Sequence, residues 1–261
     1  MPHAVSRLRT ACLTHCPTRP RLDRGPLRQV RCAGCRLLPS HCMCAWRPVV
    51  PTRAGVCLIM GEFEALKPSN TGWLIADVVP DTMAFGWERL VADPALLAVL
   101  ADPQWQPYLV FPGEFAAARR VVTGLLPEAM PARAAADEGG AGGAGVRPLF
   151  VLLDGTWAEA RKIFRKSAYL ECLPVLSLPP GQGSSYRLRQ ASHGHHLCTS
   201  EVAARCLALA GDLHAARTLE AYLDVFSRRY LQARQSVPPD EQDEAHQRLR
   251  ALHEEAIACT R

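Results

Sequence analysis

The sequence lacks a long apolar run: no stretch of it approaches the roughly 20 residues that a helix needs to cross a bilayer. Its first 31 residues are rich in arginine and almost free of acids, and they hold no continuous apolar segment of the kind found in a secretory signal. We therefore expect a cytoplasmic protein with no membrane partner. Residues 1–28 are interpreted as a basic, disordered arm that is dispensable for chemistry. An organelle transit peptide, or a start codon placed too far upstream, are the alternatives.

The cysteines exclude a further class of protein. There are 11 of them, an odd number, and only four lie close together. This distribution differs from that of a secreted disulfide scaffold, and it indicates a reducing compartment and one metal site. Composition otherwise decides little, because a net charge of +5 is compatible with an anionic partner such as RNA without requiring one. We expect the protein to act as a monomer.

The clustered cysteines, Cys32, Cys35, Cys42 and Cys44, have the spacing C-x2-C-x6-C-x-C. The first pair has the spacing at which a tight turn directs two thiolates at one ion, and the second pair can complete a tetrahedral site. We interpret residues 29–50 as a module that binds structural zinc. The alternatives are free or disulfide-bonded cysteines, an iron–sulfur cluster, and replacement of one thiolate by His41.

Short apolar runs alternate with helical patterns over residues 51–235, which we interpret as the main domain. The runs at 55–60, 74–79, 108–112 and 149–154 have the continuous hydrophobicity of strands that are buried on both faces. Helices are predicted at 94–101, 114–126 and 158–170. This alternation predicts an α/β fold with a parallel sheet.

The remaining segments are assigned by composition and periodicity. Residues 132–147 contain the sequence GGAGGAG and are interpreted as a flexible insertion without function. Helices at 200–210 and 218–234 have apolar residues at helical spacing. Residues 236–261 are predicted to be a helical extension, with a solvated, peripheral helix at 239–258.

Residues 154–157 (DGTW) join the last apolar run of the sheet to the next predicted helix. In open α/β sheets ligands bind at the carboxyl ends of strands, so Asp154 is placed at a candidate crevice. Capping of the helix by Asp154 or Thr156 is the alternative. The following helix presents Arg161, Lys162 and Arg165 with Lys166, either as a surface for an anionic ligand or as a solvated face.

Two other polar segments are weaker candidates. Residues 181–185 (GQGSS) form a permissive loop that lacks the lysine and the spacing of a phosphate-binding fingerprint. His193, His195 and His196 have no carboxylate or cysteine at a spacing that would complete a metal site, so we interpret them as part of a surface loop.

The segment DGTW, followed by Ala160, Arg161 and Lys162, resembles the signature that names the DTW-domain family. The resemblance extends to five further blocks in the family's order over residues 31–230: the four-cysteine module, 67–72 (KPSNTG), 111–114 (FPGE), 185–189 (SYRLR) and 198–203 (CTSEVA). It implies a SPOUT-like knotted domain that holds S-adenosylmethionine. It also implies transfer of the 3-amino-3-carboxypropyl group of that donor to N3 of a tRNA uridine, with position 47 of the variable loop as the expected target and methylthioadenosine as the by-product.

Under this resemblance the polar residues receive roles. Asp154 is the candidate general base or charge stabiliser, and Glu201 is the second candidate. Donor or base contacts are expected from Asn70, Thr156, Trp157, Ser185, Tyr186, Arg187 and Thr199. RNA contacts are expected from Lys67, Arg161, Lys162 and Arg165. The alternatives are purely structural roles: a turn for Asn70, core packing for Trp157, a surface loop for residues 181–187, and helix capping for Thr199 and Glu201.

Two positions depart from the family's pattern, namely Gly61, where we expect His, and Trp73, where we expect Arg. If the usual residues contact RNA or donor, affinity or substrate choice differs in this protein. Two other functions therefore stay open. One is a methyltransferase that uses S-adenosylmethionine to modify RNA, and the other is a zinc-containing RNA-binding protein that has lost catalysis.

Overall fold

The computed structural model describes residues 2–15, 30–126, 145–179, 186, 188 and 197–258. Within these residues the strands are β1 (Gly55–Met60), β2 (Thr82–Gly86), β3 (Trp105–Val110), β4 (Val121–Val122), β5 (Arg147–Asp154) and β6 (Val175–Leu176). The helices are α1 (Ala4–His15), α2 (Gly72–Val78), α3 (Pro94–Ala101), α4 (Trp157–Lys166), α5 (Thr199–Leu209), α6 (Leu213–Gln235) and α7 (Glu244–Ala258).

The described strands form one sheet in the order β2-β1-β5-β3-β6-β4, and every pairing in it is parallel. All six residues of β1 are buried, as expected for a strand covered on both faces. Val56, Leu58 and Met60 enter one core, whereas Cys57 and Ile59 enter the other, because successive side chains alternate between faces. The predicted α/β class and parallel sheet are confirmed.

Helices cover both faces of the sheet. Helices α2, α5 and α6 pack on one face, together with the start of α1, one side of α7 and the cysteine module. Helices α3 and α4 pack on the other face, through Leu96, Ala160 and Ile163. Among the described residues, no helix is both long enough and apolar enough to span a membrane.

Two predicted elements are wrong. The apolar run 74–79 is not a strand, because residues 72–78 form helix α2, whose seven residues are all buried. A short run buried on every side cannot be assigned to strand or helix by periodicity. Residues 114–126 are not a helix either. They contain two short 3-10 turns and the edge strand β4, whose two valines pair with β6.

The basic arm is not disordered throughout, which corrects a second expectation. Residues 4–15 form α1, and Ala4 and Val5 are buried against the core. His3 packs edge-on against Trp73 and lies 3.5 Å from the carboxylate of Asp77. Burial raises the pKa of Asp77 to about 6 and lowers that of His3 to about 3. A few well-placed contacts thus dock a segment whose composition is mostly polar.

The C-terminal helix is less peripheral than predicted. Ala245, Leu249 and Leu252 of α7 are buried against the core. The buried guanidinium of Arg229 donates to His246 Nε2 at 2.9 Å and to the carbonyl of Cys42 at 2.7 Å. Helix α7 is therefore attached to α6, and α6 to the cysteine module.

Other expectations fall on segments outside the described residues. Most of the predicted insertion 132–147 lies there, although Arg147 itself begins β5. The chain between β6 and α5, through which a knot would pass, is described only at residues 177–179, 186, 188 and 197–198. The knotted topology and the division into arm, module, domain and extension therefore stay predictions.

Candidate functional site

The carboxyl ends of β1 and β5 lie side by side, with Met60 opposite Asp154 in the parallel register. The backbone N–H of Gly61, the first residue after β1, donates to the carbonyl of Asp154 at 2.8 Å. The segment that follows β1 and the amino ends of α4 and α5 consequently converge on the end of β5. This is the edge of the sheet at which the sequence predicted a ligand.

The carboxylate of Asp154 is 1% exposed and both of its oxygens are engaged. Asn70 Nδ2 donates to Oδ2 at 2.7 Å, and the Thr199 hydroxyl donates to Oδ1 at 2.5 Å. A Cβ on Gly72 would lie 2.6 Å from Oδ2, so the glycine of the Asn-Thr-Gly turn permits this close approach. Three blocks that are distant in sequence therefore meet at one carboxylate.

Asp154 does not act as the cap of α4. The N-cap is Thr156, whose hydroxyl accepts from Glu159 N at 3.3 Å, while Glu159 Oε2 accepts from Thr156 N at 2.7 Å. This reciprocal capping box satisfies the first turn of the helix without Asp154. The capping alternative therefore holds for Thr156 and fails for Asp154.

Asn70 is fully buried and makes three side-chain hydrogen bonds. Besides Asp154, its Nδ2 donates to Glu64 Oε1 at 3.2 Å, and its Oδ1 accepts from Trp73 N at 2.9 Å. Glu64 is also buried, at 1% exposure, and its other oxygen pairs with Lys67 Nζ at 2.5 Å. A continuous chain of contacts therefore runs from Lys67 through Glu64 and Asn70 to Asp154.

Two buried residues of this site were missed by sequence reasoning. Glu64 lies in a short turn, where an acid that points inward looks the same in sequence as one that points to solvent. Arg36 donates to the carbonyls of Lys67 and Asn70, each at 2.9 Å, from more than 30 residues away. Burial lowers the pKa of Arg36 to about 10, which leaves it charged at neutral pH. In the sequence, the one indication that Arg36 contributes to the fold is that it directly follows Cys35.

At the start of α5, Thr199 and Glu201 have different roles. Thr199 contacts Asp154, as described, whereas Glu201 Oε2 accepts from the backbone N–H of Cys198 at 2.7 Å. The neighbouring Ser200 N–H donates to Thr71 Oγ1 at 3.4 Å. The helix-capping alternative is thus observed for Glu201, and its catalytic role stays a prediction.

Tyr186 connects the following loop to the site. Its hydroxyl donates to the carbonyl of Ser69 at 2.5 Å, and the residue is buried. The turn 67–70 is therefore contacted by Arg36 on one side and by Tyr186 on another. The other residues predicted in this loop, Ser185 and Arg187, lie outside the described residues.

Trp157 packs within an aromatic cluster. Its ring stacks on Phe111 with centroids 5.4 Å apart and meets Phe115 edge-on at 5.7 Å. This cluster belongs to the core shared with α3 and α4, which is the opposite face of the sheet from α2 and α5. The packing alternative is observed for Trp157, and contact with a base or the donor stays a prediction.

The basic residues of α4 form a surface beside this site. Arg161 lies over the ring of Phe115 at 5.0 Å and Lys162 over that of Trp87 at 5.3 Å, each measured to the ring centroid. Lys162, Arg165 and Lys166 are exposed. Aromatic rings beside exposed cations are an arrangement suited to contact with nucleic acid.

The four-cysteine module has the geometry of a metal centre. The Sγ atoms of Cys32, Cys35, Cys42 and Cys44 all lie within 4.8 Å of one another, with closest separations of 3.5, 3.6 and 3.8 Å. A tetrahedral zinc ion with bonds of about 2.3 Å places its thiolates about 3.8 Å apart. The cluster can therefore hold zinc.

The cysteines of the module differ in pKa. Burial opposes ionisation of Cys32, but hydrogen bonds from the backbone N–H groups of Cys35 and Gly34 lower its pKa to about 7. Burial raises the pKa of Cys35 to about 11 and that of Cys44 further, so these two are thiols at neutral pH without a bound cation. The four cysteines are free thiols, which contradicts the disulfide alternative. His41 bonds the carbonyl of Val237 at 2.8 Å and the hydroxyl of Ser40, so it does not replace a thiolate.

Trp73, one of the two departures from the expected pattern, is the second residue of α2 and contacts this module. Its indole Nε1 donates to the carbonyl of Gly34 at 3.0 Å, and the guanidinium of Arg36 lies 4.3 Å from its ring. The residue is buried. Trp73 therefore supports the contact between the module and α2.

Comparison with known proteins assigns the chain to a family. No solved structure matches it. The family model described as DTW domain matches residues 29–231, more than three quarters of the 261 residues. The matched range includes the cysteine module, Asp154 with its hydrogen-bond partners Asn70 and Thr199, and helix α4. The chain belongs to the DTW-domain family.

Proposed function

We propose that this protein is a tRNA-uridine aminocarboxypropyltransferase that uses S-adenosylmethionine as its donor. The observation that carries the proposal is the buried carboxylate of Asp154, held by Asn70 and Thr199 where β5 ends and α5 begins. The family is consistent with tRNA modification. The proposal adds to this the donor, the transferred group and the position of the uridine.

The reaction requires removal of one proton and displacement of one sulfur. The N3–H proton of uridine leaves, N3 bonds to the methylene carbon of the amino acid arm, and the carbon–sulfur bond breaks. Its electron pair stays on sulfur, which turns the sulfonium into neutral methylthioadenosine. Because the donor contains three carbons open to attack, the enzyme selects the product by positioning the donor rather than by a new reactive group.

Asp154 is suited to assist loss of the N3 proton. Asn70 and Thr199 are neutral donors, so they orient the carboxylate without neutralising its charge. A charge held in a buried site interacts strongly with nearby groups, since water screens it little. Asp154 thus serves as general base or stabilises positive charge at the reacting centre, a contribution of roughly 10²- to 10⁴-fold. Glu201 is the second candidate.

The donor and the RNA are assigned to neighbouring surfaces. Asn70, Thr199, Tyr186, Ser185 and Arg187 would contact the donor, together with Thr156 and Trp157 at the start of α4. Lys67, Arg161, Lys162 and Arg165 would contact the phosphates of tRNA. The target uridine has to be unpaired or flipped, because N3 is otherwise hidden in the base pair.

The cysteine module would bind one structural zinc ion through Cys32, Cys35, Cys42 and Cys44. When bound, zinc would join the four thiolates and stabilise the local fold, since ligation and folding are coupled. All four tetrahedral positions would be filled by protein, so the ion has no position for substrate.

One assay tests the proposal. The purified protein is incubated with S-adenosylmethionine and unmodified tRNA, and the nucleosides and small molecules are identified by mass spectrometry. We expect aminocarboxypropyluridine and methylthioadenosine in equal amounts. S-adenosylhomocysteine would instead identify a methyltransferase, and tRNA binding without donor binding would identify an inactive RNA-binding protein. Nucleosides from tRNA of a deletion strain would then locate the uridine.

A further inference from the structure

A cavity of about 550 Å³ lies at the carboxyl ends of β1 and β2, beside the candidate site. It is lined by Gly61 and Glu62 after β1, by residues 87–90 (WERL) after β2, and by Glu159 and Lys162 of α4. We call it the Trp87 pocket. Its volume is within the range of about 300 to 1,000 Å³ that is usual for small-ligand sites.

The Trp87 pocket is connected to the site through two of its lining residues. Gly61 bonds the carbonyl of Asp154, and Glu159 closes the capping box with Thr156, two residues after Asp154. A Cβ on Gly61 would meet Glu159 Oε1 at 3.3 Å. The glycine therefore lets the wall of the pocket lie close to Glu159, and a larger side chain at this position would have to displace the Glu159 carboxylate.

The lining of the pocket suits a nucleotide. The half-buried indole of Trp87 is fixed by donation from its Nε1 to Ser167 Oγ at 2.9 Å. Lys162 is exposed and lies over the ring, so its flexible side chain can move from the ring to a phosphate. Stacking of a base on an aromatic ring beside a cation is the usual way in which proteins hold single-stranded RNA. Carboxylates at the rim can accept hydrogen bonds from the N–H groups of a base.

We propose that the Trp87 pocket binds one unpaired nucleotide of the RNA, with its base stacked on Trp87 and a phosphate near Lys162. The inference rests on the proposed function in one respect, which is that RNA is the substrate. Lys162 belongs both to the basic surface of α4 and to the lining of the pocket, so that surface would guide the backbone of the strand. The pocket thereby assigns a binding site to Trp87, Arg89 and Gly61.

Binding measurements test this inference without any turnover. The probes are a short labelled oligouridylate and an abasic ribose-phosphate oligomer with the same number of phosphates, compared at fixed low salt. Trp87→Ala should weaken binding of the oligouridylate at least fivefold, as expected for loss of one stacked base, and leave the abasic oligomer unchanged. Trp87→Phe keeps an aromatic face and should lose less. Trp46→Ala removes a half-buried tryptophan that packs against His246 and does not line the pocket; it is the matched control and should leave both affinities unchanged.

Gly61→Leu keeps Trp87 and adds bulk against Glu159 in the wall of the pocket, so it tests the pocket even where Trp87→Ala fails to fold. We expect the same selective loss of oligouridylate binding. Equal losses for both oligomers, or no loss in a folded Gly61→Leu protein, would overturn the inference. Selective loss in a protein that forms no modified uridine would support the pocket and refute the transferase proposal. Normal transfer to tRNA, with unchanged oligouridylate affinities in both variants, would support the transferase proposal and refute the pocket.

Discussion

Substitution of Asp154 by Asn is the most direct test of the site, because it removes the charge and keeps the shape. The oxygen of the new amide can still accept from Asn70 Nδ2, and its nitrogen can donate to the Thr199 hydroxyl, which both donates and accepts. Weaker neutral hydrogen bonds cost about 1 kcal/mol each relative to charge-assisted ones. Relief from burying a carboxylate offsets that loss. We expect the free energy of unfolding to change by no more than about 1 kcal/mol.

The expected effect on catalysis is far larger. Loss of the carboxylate should lower the transfer rate by roughly 10²-fold or more, which corresponds to about 2.7 kcal/mol in activation free energy. Initial rates of methylthioadenosine formation at saturating tRNA and donor measure the effect, and calorimetry measures donor affinity, which should be largely retained. Asp93→Asn is the matched control. Asp93 caps α3 by accepting from Ala95 N at 2.8 Å, and Asn caps about as well as Asp.

A near-normal rate in a folded Asp154→Asn protein would refute the reasoning. The carboxylate would then be a structural group that orders Asn70 and Thr199, and its charge would have no part in the reaction. Glu201 would become the first candidate for the base. Glu64 would have to be considered beside it, because it is buried and shares the amide of Asn70.

Three further outcomes follow from contacts in the same region. Glu64→Gln should lower kcat about tenfold with a smaller change in KM, because a neutral amide pairs weakly with Lys67 and orients Asn70 less firmly. A kcat equal to that of the wild-type protein in steady-state kinetics would contradict this. Cys35→Ser should lower zinc content and melting temperature together, as measured by elemental analysis and calorimetry; wild-type protein without any metal would refute the zinc site. Deletion of residues 2–15 should lower the melting temperature, because it removes two buried apolar side chains. Burial of Val5 contributes roughly 1.5 kcal/mol or more to the free energy of unfolding, and burial of the smaller Ala4 contributes less. Turnover of the shortened protein below that temperature should be unchanged, and an unaltered melting temperature would show that α1 adds no stability.

The sequence allowed the centre of the sheet to be predicted, because β1 and β5 are buried on both faces and therefore continuously apolar. The same property misled the assignment of α2, which is apolar because it too is surrounded by protein. The edge strand β4 and its neighbour β6 have two residues each, too few for any period to be detected. Burial on all sides thus removes the alternation on which assignment depends.

The site could be predicted in its members but not in its contacts. Asp154, Asn70 and Thr199 were proposed from motifs, yet the hydrogen bonds among them span 84 and 45 residues of sequence. They become neighbours only because β1 and β5 are parallel and end at one edge. Arg36 and Glu64 belong to no pattern of charge or spacing, and their burial could be learned only from the fold.

The cysteine module and the Asp154 site are joined by direct contacts, so the module has more than a local role. Cys35 and Arg36 are adjacent, and the guanidinium of Arg36 bonds the carbonyl of Asn70, whose amide holds Asp154. Trp73 links the same turn to Gly34 through its indole. A change at the thiolates can therefore move Arg36 and the 67–70 turn together, since rigid packed groups transmit displacement. Loss of a thiolate should consequently lower the rate of methylthioadenosine formation even at temperatures where the protein remains folded. Arg36→Lys keeps the positive charge but removes the forked pair of donors. This variant should lower the rate in the same way, although all four cysteines are still present.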